Sequence, residues 1–485
     1  MMNITPKPAR ERLLAIARRA MIERGFLPDF SPEALEEAGR ASLPAPEPSL
    51  RDLRSLPWCS IDNDDSRDLD QLSVSTGPET VLVAIADVDL LVPRKSALDQ
   101  HATINTTSVY TPARNFPMLP ERLSTDLTSL NEAADRAAIV IELDVKPSGE
   151  VGQSTIYRAL VRNQAKLAYS SVGPWLEGTA AAPPKLLSST ILQEQLRVQD
   201  RIGRTLGEGR SRRGALHLAS QETTAVFSGD LLTDLRPEEK NRAKELIENL
   251  MIAANGAVAG FLSRNGVASL RRVLRSPERW DRIVALAALQ GTPLPDKPDA
   301  LALEAFLLKK KAVDPDHFPD ISLSVVKMLG SGEYAVEVPG KPLQGHFALA
   351  VRGYTHSTAP NRRYPDVITQ RQVKAVLAGL PPAYDVPSLE RLALHCTDQE
   401  DDAAKIERQV RKSAAALLLE DRRGETYDAI VTGASPKGTW VRVLHPPIEG
   451  RVIRGQAGAD VGDHLRVRLV STDVERGFID FAREG

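Results

Sequence analysis

Between Ser60 and Gln71 the chain reads Ser-Ile-Asp-Asn-Asp-Asp-Ser-Arg-Asp-Leu-Asp-Gln, with aspartates at 62, 64, 65, 68 and 70. So many carboxylates in one short stretch repel one another unless water or a cation neutralises them. An acidic surface turn, a calcium loop and a hard-metal catalytic site all start from this pattern. Counted from Asp62, the calcium loop fails: Arg67 stands where it needs Gly, and Ser73 where it needs Glu. For a catalytic site, Asp68 and Asp70 lie two apart and point the same way in an extended segment. The turn over 63–66 can fold Asp62 back beside them. Oxygen-only ligation favours magnesium or manganese over zinc. Such a site suits phosphodiester hydrolysis, with the cation acidifying the attacking water.

Carboxylates facing a phosphate backbone need positive partners, and a second segment offers them: Tyr354-Thr355-His356-Ser357-Thr358-Ala359-Pro360-Asn361-Arg362-Arg363-Tyr364-Pro365-Asp366. Pro360 drives Ala359 out of the helical region, leaving a turn that can present two arginines. The forked donors of Arg362 match a phosphate at two points. The competing reading is salt bridges at the start of a helix. His356 has no zinc-type ligands near it in sequence and reads as a packed or hydrogen-bonded ring.

The elements that would position these residues are legible in part. Residues 80–86 and 137–145 are apolar enough for strands, and the long aperiodic stretch between them suggests functional loops. A basic segment at 201–213 precedes a helix expected over 237–262. Further helices are expected at 364–377 and 402–419. At the N-terminus, 11–24 and a segment from Ser31 read as two short helices, the second capped by Ser31 with Pro32 in its first turn. These first fifty residues are either a nucleic-acid-binding element or a packing adaptor. After Arg422-Arg423-Gly424, five short strands suit an OB-type barrel, a fold that binds single strands through cations and exposed aromatics. Its candidates are Lys437, Trp440 and Arg442. The fold class is α+β and multidomain: a small helical domain over 1–50, a large mixed α/β domain over 51–422 that carries both segments, and a five-stranded OB-type barrel over 423–485.

Composition sets outer limits. The 485 residues are 42% hydrophobic and 26% charged, which suits packed domains and argues against disorder as the main state. Lys and Arg total 62 against 64 Asp and Glu, a net charge of -2. This balance argues against a histone-like or arm-like binder, while a local cationic channel stays open. Two cysteines, Cys59 and Cys396, cannot build a disulfide framework or a thiolate zinc site. No apolar run of membrane-spanning length and no signal-peptide h-region is present, so no membrane partner and a cytoplasmic location are expected.

Taken together, the segments resemble the ribonuclease II family, the RNB-type exoribonucleases. The aspartate segment is similar to the family's first catalytic motif. In order after it come Ala84-Ile85-Ala86-Asp87-Val88, Thr107-Ser108-Val109-Tyr110, Phe116-Pro117-Met118-Leu119-Pro120-Glu121-Arg122-Leu123-Ser124, Ala165-Lys166-Leu167-Ala168-Tyr169, residues 210–216, Met251-Ile252-Ala253-Ala254-Asn255, His346-Phe347-Ala348-Leu349 and residues 358–366. The resemblance implies processive, hydrolytic 3′-to-5′ degradation of single-stranded RNA to nucleoside 5′-monophosphates and a short limit oligonucleotide. Magnesium would be the cofactor, with manganese as a substitute. Asp62, Asp68 and Asp70 match three of four active-site aspartates, Asp70 being the most sensitive to removal, and Arg362 matches the arginine on the scissile phosphate. Glu407 matches a glutamate near the terminal nucleotide, Tyr169 a tyrosine that positions the last base, and Tyr110 an aromatic clamp further out. Arg210, Arg212 and Arg213 would contact backbone phosphates, and a monomer is the default.

This sequence departs from the family's pattern at several points. The fourth aspartate is Gln71, which can offer metal a neutral oxygen but no charge. The usual Ser-Pro-Ile before the arginines is Ala359-Pro360-Asn361, and a histidine common after that motif is Gln370. Helix-like residues stand where many members carry cold-shock barrels. The first change leaves open a catalytically weak or silent RNA-binding protein of the same fold.

Overall fold

In the computed structural model the described residues are 8–219, 223–237, 240–277, 279–315, 317–341, 345–435, 438–459 and 461–484. Asp62 ends one strand of a seven-stranded sheet, and Asp68 and Asp70 lie just before another. The sheet's spatial order is Arg51–Asp52, Val151–Arg162, Asp135–Val145, Thr80–Ala86, Gln71–Ser75, Cys59–Asp62, Ala165–Ala168. Pairing is antiparallel except at the two ends, where Arg51–Asp52 lies parallel to Val151–Arg162 and Cys59–Asp62 parallel to Ala165–Ala168. The strand expected at 80–86 forms with those bounds, and the one at 137–145 lies within Asp135–Val145.

Both faces of this sheet are covered, which is why Thr80–Ala86 is almost wholly apolar rather than alternating. Val81, Val83 and Ile85 pack into one core with Leu196, Leu206, Leu246 and Leu250. These leucines belong to the helices Thr190–Ser211 and Arg242–Arg264. Leu82, Ala84 and Ala86 pack into the opposite core with Met118, Val367, Ile368 and Leu389. Arg242–Arg264 is long and apolar enough by length and composition to cross a membrane, yet 56% of its most apolar window is buried inside the protein. The expected helix at 237–262 starts later, because Leu231–Pro237 is a strand of a hairpin with Thr223–Ser228.

Tyr364–Leu377 forms as expected. The helix foreseen at 402–419 is the second half of Val386–Leu418, capped by Asp385, whose side chain accepts from the Ser388 amide. Residues 268–345, which carry no clear periodicity, hold a separate helical unit. Its helices Trp280–Leu289, Ala300–Val313 and Phe318–Leu329 pack around Phe306, Leu307 and Val325.

The C-terminal five strands, Thr426–Ser435, Gly438–Val443, Ile448–Arg454, His464–Asp473 and Phe478–Arg483, close into a barrel around Val431, Val441, Val467 and Phe481. Gly450 is required there: a Cβ would lie 2.4 Å from the Phe481 ring. The two N-terminal helices part company. Ala9–Glu23 buries Leu13, Ile16 and Met21 in a core shared with Val386–Leu418 and the barrel. Pro32–Arg40, capped by the Ser31 hydroxyl on the Ala34 amide, packs Ala34 and Ala38 into the core that holds Leu82, Ala84 and Ala86.

Candidate active site

The aspartate segment is pinned from one side by a short loop. The Ser129 hydroxyl donates to the Arg67 carbonyl and accepts from the Leu69 amide, and the Leu130 amide donates to the Leu69 carbonyl. The arginine segment then closes over it. The Asn361 amide donates to Asp70 Oδ1 at 2.8 Å, and Arg362 Nε donates to Asp70 Oδ2 at 3.3 Å. The Asn361 side-chain oxygen also accepts the Thr128 hydroxyl at 2.5 Å, so its backbone holds Asp70 while its side chain holds the loop that pins the aspartate segment.

The arginine turn is held from behind as well. Asn255, on the Arg242–Arg264 helix, accepts from the Ser357 amide and hydroxyl, both at 2.8 Å. Asp366 accepts from the Ala359 amide and from Arg363. Arg363 is thus the salt bridge at a helix start, whereas Arg362 faces the cleft. The Arg362 side chain stays 43% exposed while Asp70 is 2% exposed. Among the described residues only its Nε has a partner, which leaves both terminal nitrogens for a ligand. His356 is buried against the Tyr334 hydroxyl at 2.7 Å, and burial pushes its pKa down, keeping it neutral.

Electrostatics follow from this packing. Burial, opposed by Arg362 and the Asn361 amide, pushes the Asp70 carboxyl up to about 7. Burial also raises Asp68, with the Asp62 charge adding to it and Arg362 and Tyr110 opposing. Burial is the strongest influence on the Arg362 charge and works against it, as does Arg363, but Asp70, Tyr110 and Asp62 together hold the guanidinium above its ordinary value. Asp62 ends its strand paired with Ala168, next to Tyr169, and its Oδ1 accepts from the Asn63 amide and the Ser66 hydroxyl.

Asp62, Asp68 and Asp70 therefore meet around Arg362, but not as a ready three-carboxylate cage. Among the described residues no three His, Cys, Asp or Glu side chains converge closely enough to hold a metal ion alone. Both Asp70 oxygens are already engaged, one by the Asn361 amide and one by Arg362. Asp62 and Asp68 remain as two electrostatically coupled oxygen donors. That set fits magnesium, which is commonly held by one or two carboxylates with substrate phosphate and water completing its shell. Gln71 follows as the first residue of Gln71–Ser75, half-buried and paired with Ile85.

Tyr110 lies further in than expected. The residue is 40% exposed, yet its hydroxyl faces Asp68, Asp70 and Arg362, and its backbone amide donates to Glu407 Oε1 at 2.9 Å. Glu407 thereby fixes the Tyr110 backbone. Tyr169 opens the helix Tyr169–Glu177, and its carbonyl accepts from Asn241.

The expected cationic contacts divide. Arg210 is partly buried and donates to Asn249, while Arg212 is exposed and donates to the Ser148 carbonyl. Arg213 is exposed. Trp440 stands 38% exposed on the barrel, but Arg442 is committed to Asp320 of the helical unit at 2.9 Å, because the two surfaces pack together. Lys437 lies outside the described residues. Sequence reasoning missed Thr128, Ser129 and the tie made by Asn361; its departure from the usual apolar residue was the one available signal.

With this geometry in view, comparison with known proteins is informative. Residues 50–379 match the RNB domain, and residues 425–484 match the RNase II-type exonuclease C-terminal S1 domain. Ribonuclease R of Escherichia coli (strain K12) is 28% identical over 501 residues, covering 94% of this chain and 60% of that protein. Ribonuclease R of Mycoplasma pneumoniae is 30% identical over 423 residues, covering 84% and 57%. The chain thus spans about 60% of the length of the curated relatives it matches. In three dimensions, Mycoplasma genitalium RNase R in complex with ribose-methylated single-stranded RNA superposes with a TM-score of 0.87 at 23% identity, over 97% of this chain and 78% of that one. Yeast Ssd1, described as a pseudonuclease, superposes with a TM-score of 0.72 at 19% identity, over 90% and 55%. At these identities the structural likeness is one of fold.

Proposed function

The chain belongs to the RNB-domain family, and from that premise we propose that it is a hydrolytic exoribonuclease that shortens single-stranded RNA processively from the 3′ end. Its products in this reading are nucleoside 5′-monophosphates and a short residual oligonucleotide. The observation that carries the reading is Arg362: paired through Nε to buried Asp70, it keeps two terminal donors open beside Asp62 and Asp68.

In this mechanism the Arg362 fork grips the scissile phosphate and offsets the charge that develops on its oxygens. Asp70 and Asn361 aim the fork. The Tyr110 ring, braced by Glu407, gives the last base a surface to stack on, which is sequence-tolerant. Asp62 and Asp68 would hold magnesium, with manganese able to replace it. When bound, that cation lowers the pKa of the attacking water and neutralises phosphate charge. Trp440 offers the incoming strand a stacking surface on the barrel.

Gln71 favours one second reading, an RNA-binding protein without catalysis, since it removes a negative charge beside the metal donors. The two are separated by incubating the purified protein with 5′-labelled single-stranded RNA in magnesium and in EDTA. Short labelled end products without a ladder of intermediates, formed only with metal, support the exonuclease. Retained RNA binding with no cleavage in magnesium or manganese would sink it in favour of the silent binder.

A further inference from the structure

The end of the Thr190–Ser211 helix, the side of the Arg242–Arg264 helix and the start of strand Val151–Arg162 enclose a cavity of about 230 Å³. Its floor is aliphatic, with Leu206, Ile252 and Ala257, and its charged lining is Arg210, Arg213 and Arg264. None of the described lining residues is Asp or Glu, and none belongs to the Asp70–Arg362 centre. An adjoining cleft shares Arg264 and adds Lys146.

Of these cations Arg210 is the partly buried one, while Arg213 and Arg264 reach solvent. The Arg210 Nε is buried with no hydrogen-bond partner among the described residues, although its other end reaches Asn249. Burial opposes the Arg210 charge, Glu248 partly offsets that, and Arg213 adds like-charge repulsion. Glu248 lines a neighbouring cavity, which Arg210 also lines. Among the described residues, Arg213 and Arg264 make no ion pair. A buried guanidinium nitrogen without an acceptor is unfavourable unless an anion joins it, and three like charges at one cavity attract such an anion, whose phosphate oxygens suit forked guanidinium donors.

We propose that this cavity is a second anion site that takes a phosphomonoester, its phosphate on the arginines and any attached nucleoside on the aliphatic floor. The source is either free phosphate or a nucleoside 5′-monophosphate. The latter, as a product of this same protein, rests on the exonuclease reading. Ligand held here touches the Arg242–Arg264 helix, whose Asn255 fastens the arginine turn.

The test is equilibrium binding of AMP, adenosine and inorganic phosphate to the full chain in EDTA, where no cleavage enters. An Arg362→Ala background removes phosphate binding at the catalytic centre. AMP binding should persist there. It should weaken by about tenfold or more with Arg264→Ala, the loss of one charge-assisted contact, and recover in part with Arg264→Lys. Phosphate binding as tightly as AMP assigns the site to free phosphate, and tighter AMP assigns it to the nucleotide. Three results overturn the site: no AMP or phosphate binding in Arg362→Ala, adenosine binding as tightly as AMP, or indifference of binding to Arg264→Ala. A loss of RNA affinity alone in Arg264→Ala would overturn it in favour of an RNA path. Because no hydrolysis is measured, either failure leaves the exonuclease reading to its own experiment.

Discussion

At the scale of single residues, the candidate centre depends on how Arg362 is aimed. Lys in its place keeps the charge but loses the fork and the Nε contact to Asp70. Arg362→Lys is expected to slow cleavage by about a hundredfold, comparable to removing one preorganised donor, while leaving single-strand affinity nearly unchanged. Single-turnover rates alongside filter binding check the split; equal losses in both would make Arg362 a general RNA contact. Gln71 supplies the complementary experiment. If its amide stands where a metal-facing carboxylate would be useful, Gln71→Asp should lower the magnesium concentration for half-maximal cleavage by about tenfold, or roughly 1.4 kcal/mol. An unchanged magnesium titration would place the side chain outside the metal's reach.

At the scale of elements, the N-terminal helix Ala9–Glu23 acts as packing, since Leu13, Ile16 and Met21 complete a core with Val386–Leu418 and the barrel. Arg12 adds a two-point contact to Glu420 at 2.6 and 2.9 Å. The Arg12 hydrogen bond, against a smaller burial effect, holds the Glu420 carboxyl below its ordinary 4.5. A depressed carboxylate contributes stability above its unfolded pKa and loses it as pH falls through the folded value. Both side chains are partly exposed, so screening keeps the contribution to about 0.5 kcal/mol. Glu420→Gln should therefore lower the urea midpoint slightly at pH 7 and not at all at pH 3. A loss of equal size at both pH values would mean that packing, not the ion pair, was disturbed.

At the scale of the whole molecule, the barrel is gripped on two sides, by Ala9–Glu23 with Val386–Leu418 and by the helical unit through Arg442 and Asp320. These two side chains are only 18% and 11% exposed, so breaking the pair leaves a partly buried charge. Asp320→Ala is expected to destabilise by about 1–3 kcal/mol and to increase proteolysis between barrel and helical unit. The reversed pair, Asp320→Arg with Arg442→Asp, should recover much of that loss. A reversed pair no better than the single variant would show that shape, not charge, seats the barrel.

Much of this protein was determined locally. The apolar run of Thr80–Ala86, the Ser31 cap, the helix at Tyr364–Leu377 and the five barrel strands follow from apolar patterning and turn chemistry that neighbours in sequence already supply. So did the pairing of an aspartate-rich segment with an arginine turn, because residue types that repel in isolation announce a need for partners. Tertiary structure alone decided which partner each charge received. Asp70 went to Asn361 and Arg362, Arg442 to Asp320, Arg12 to Glu420 and Tyr110 to Glu407. Each of these contacts joins segments more than a hundred residues apart, and no local pattern encodes which distant group burial will bring within 3 Å of a charge.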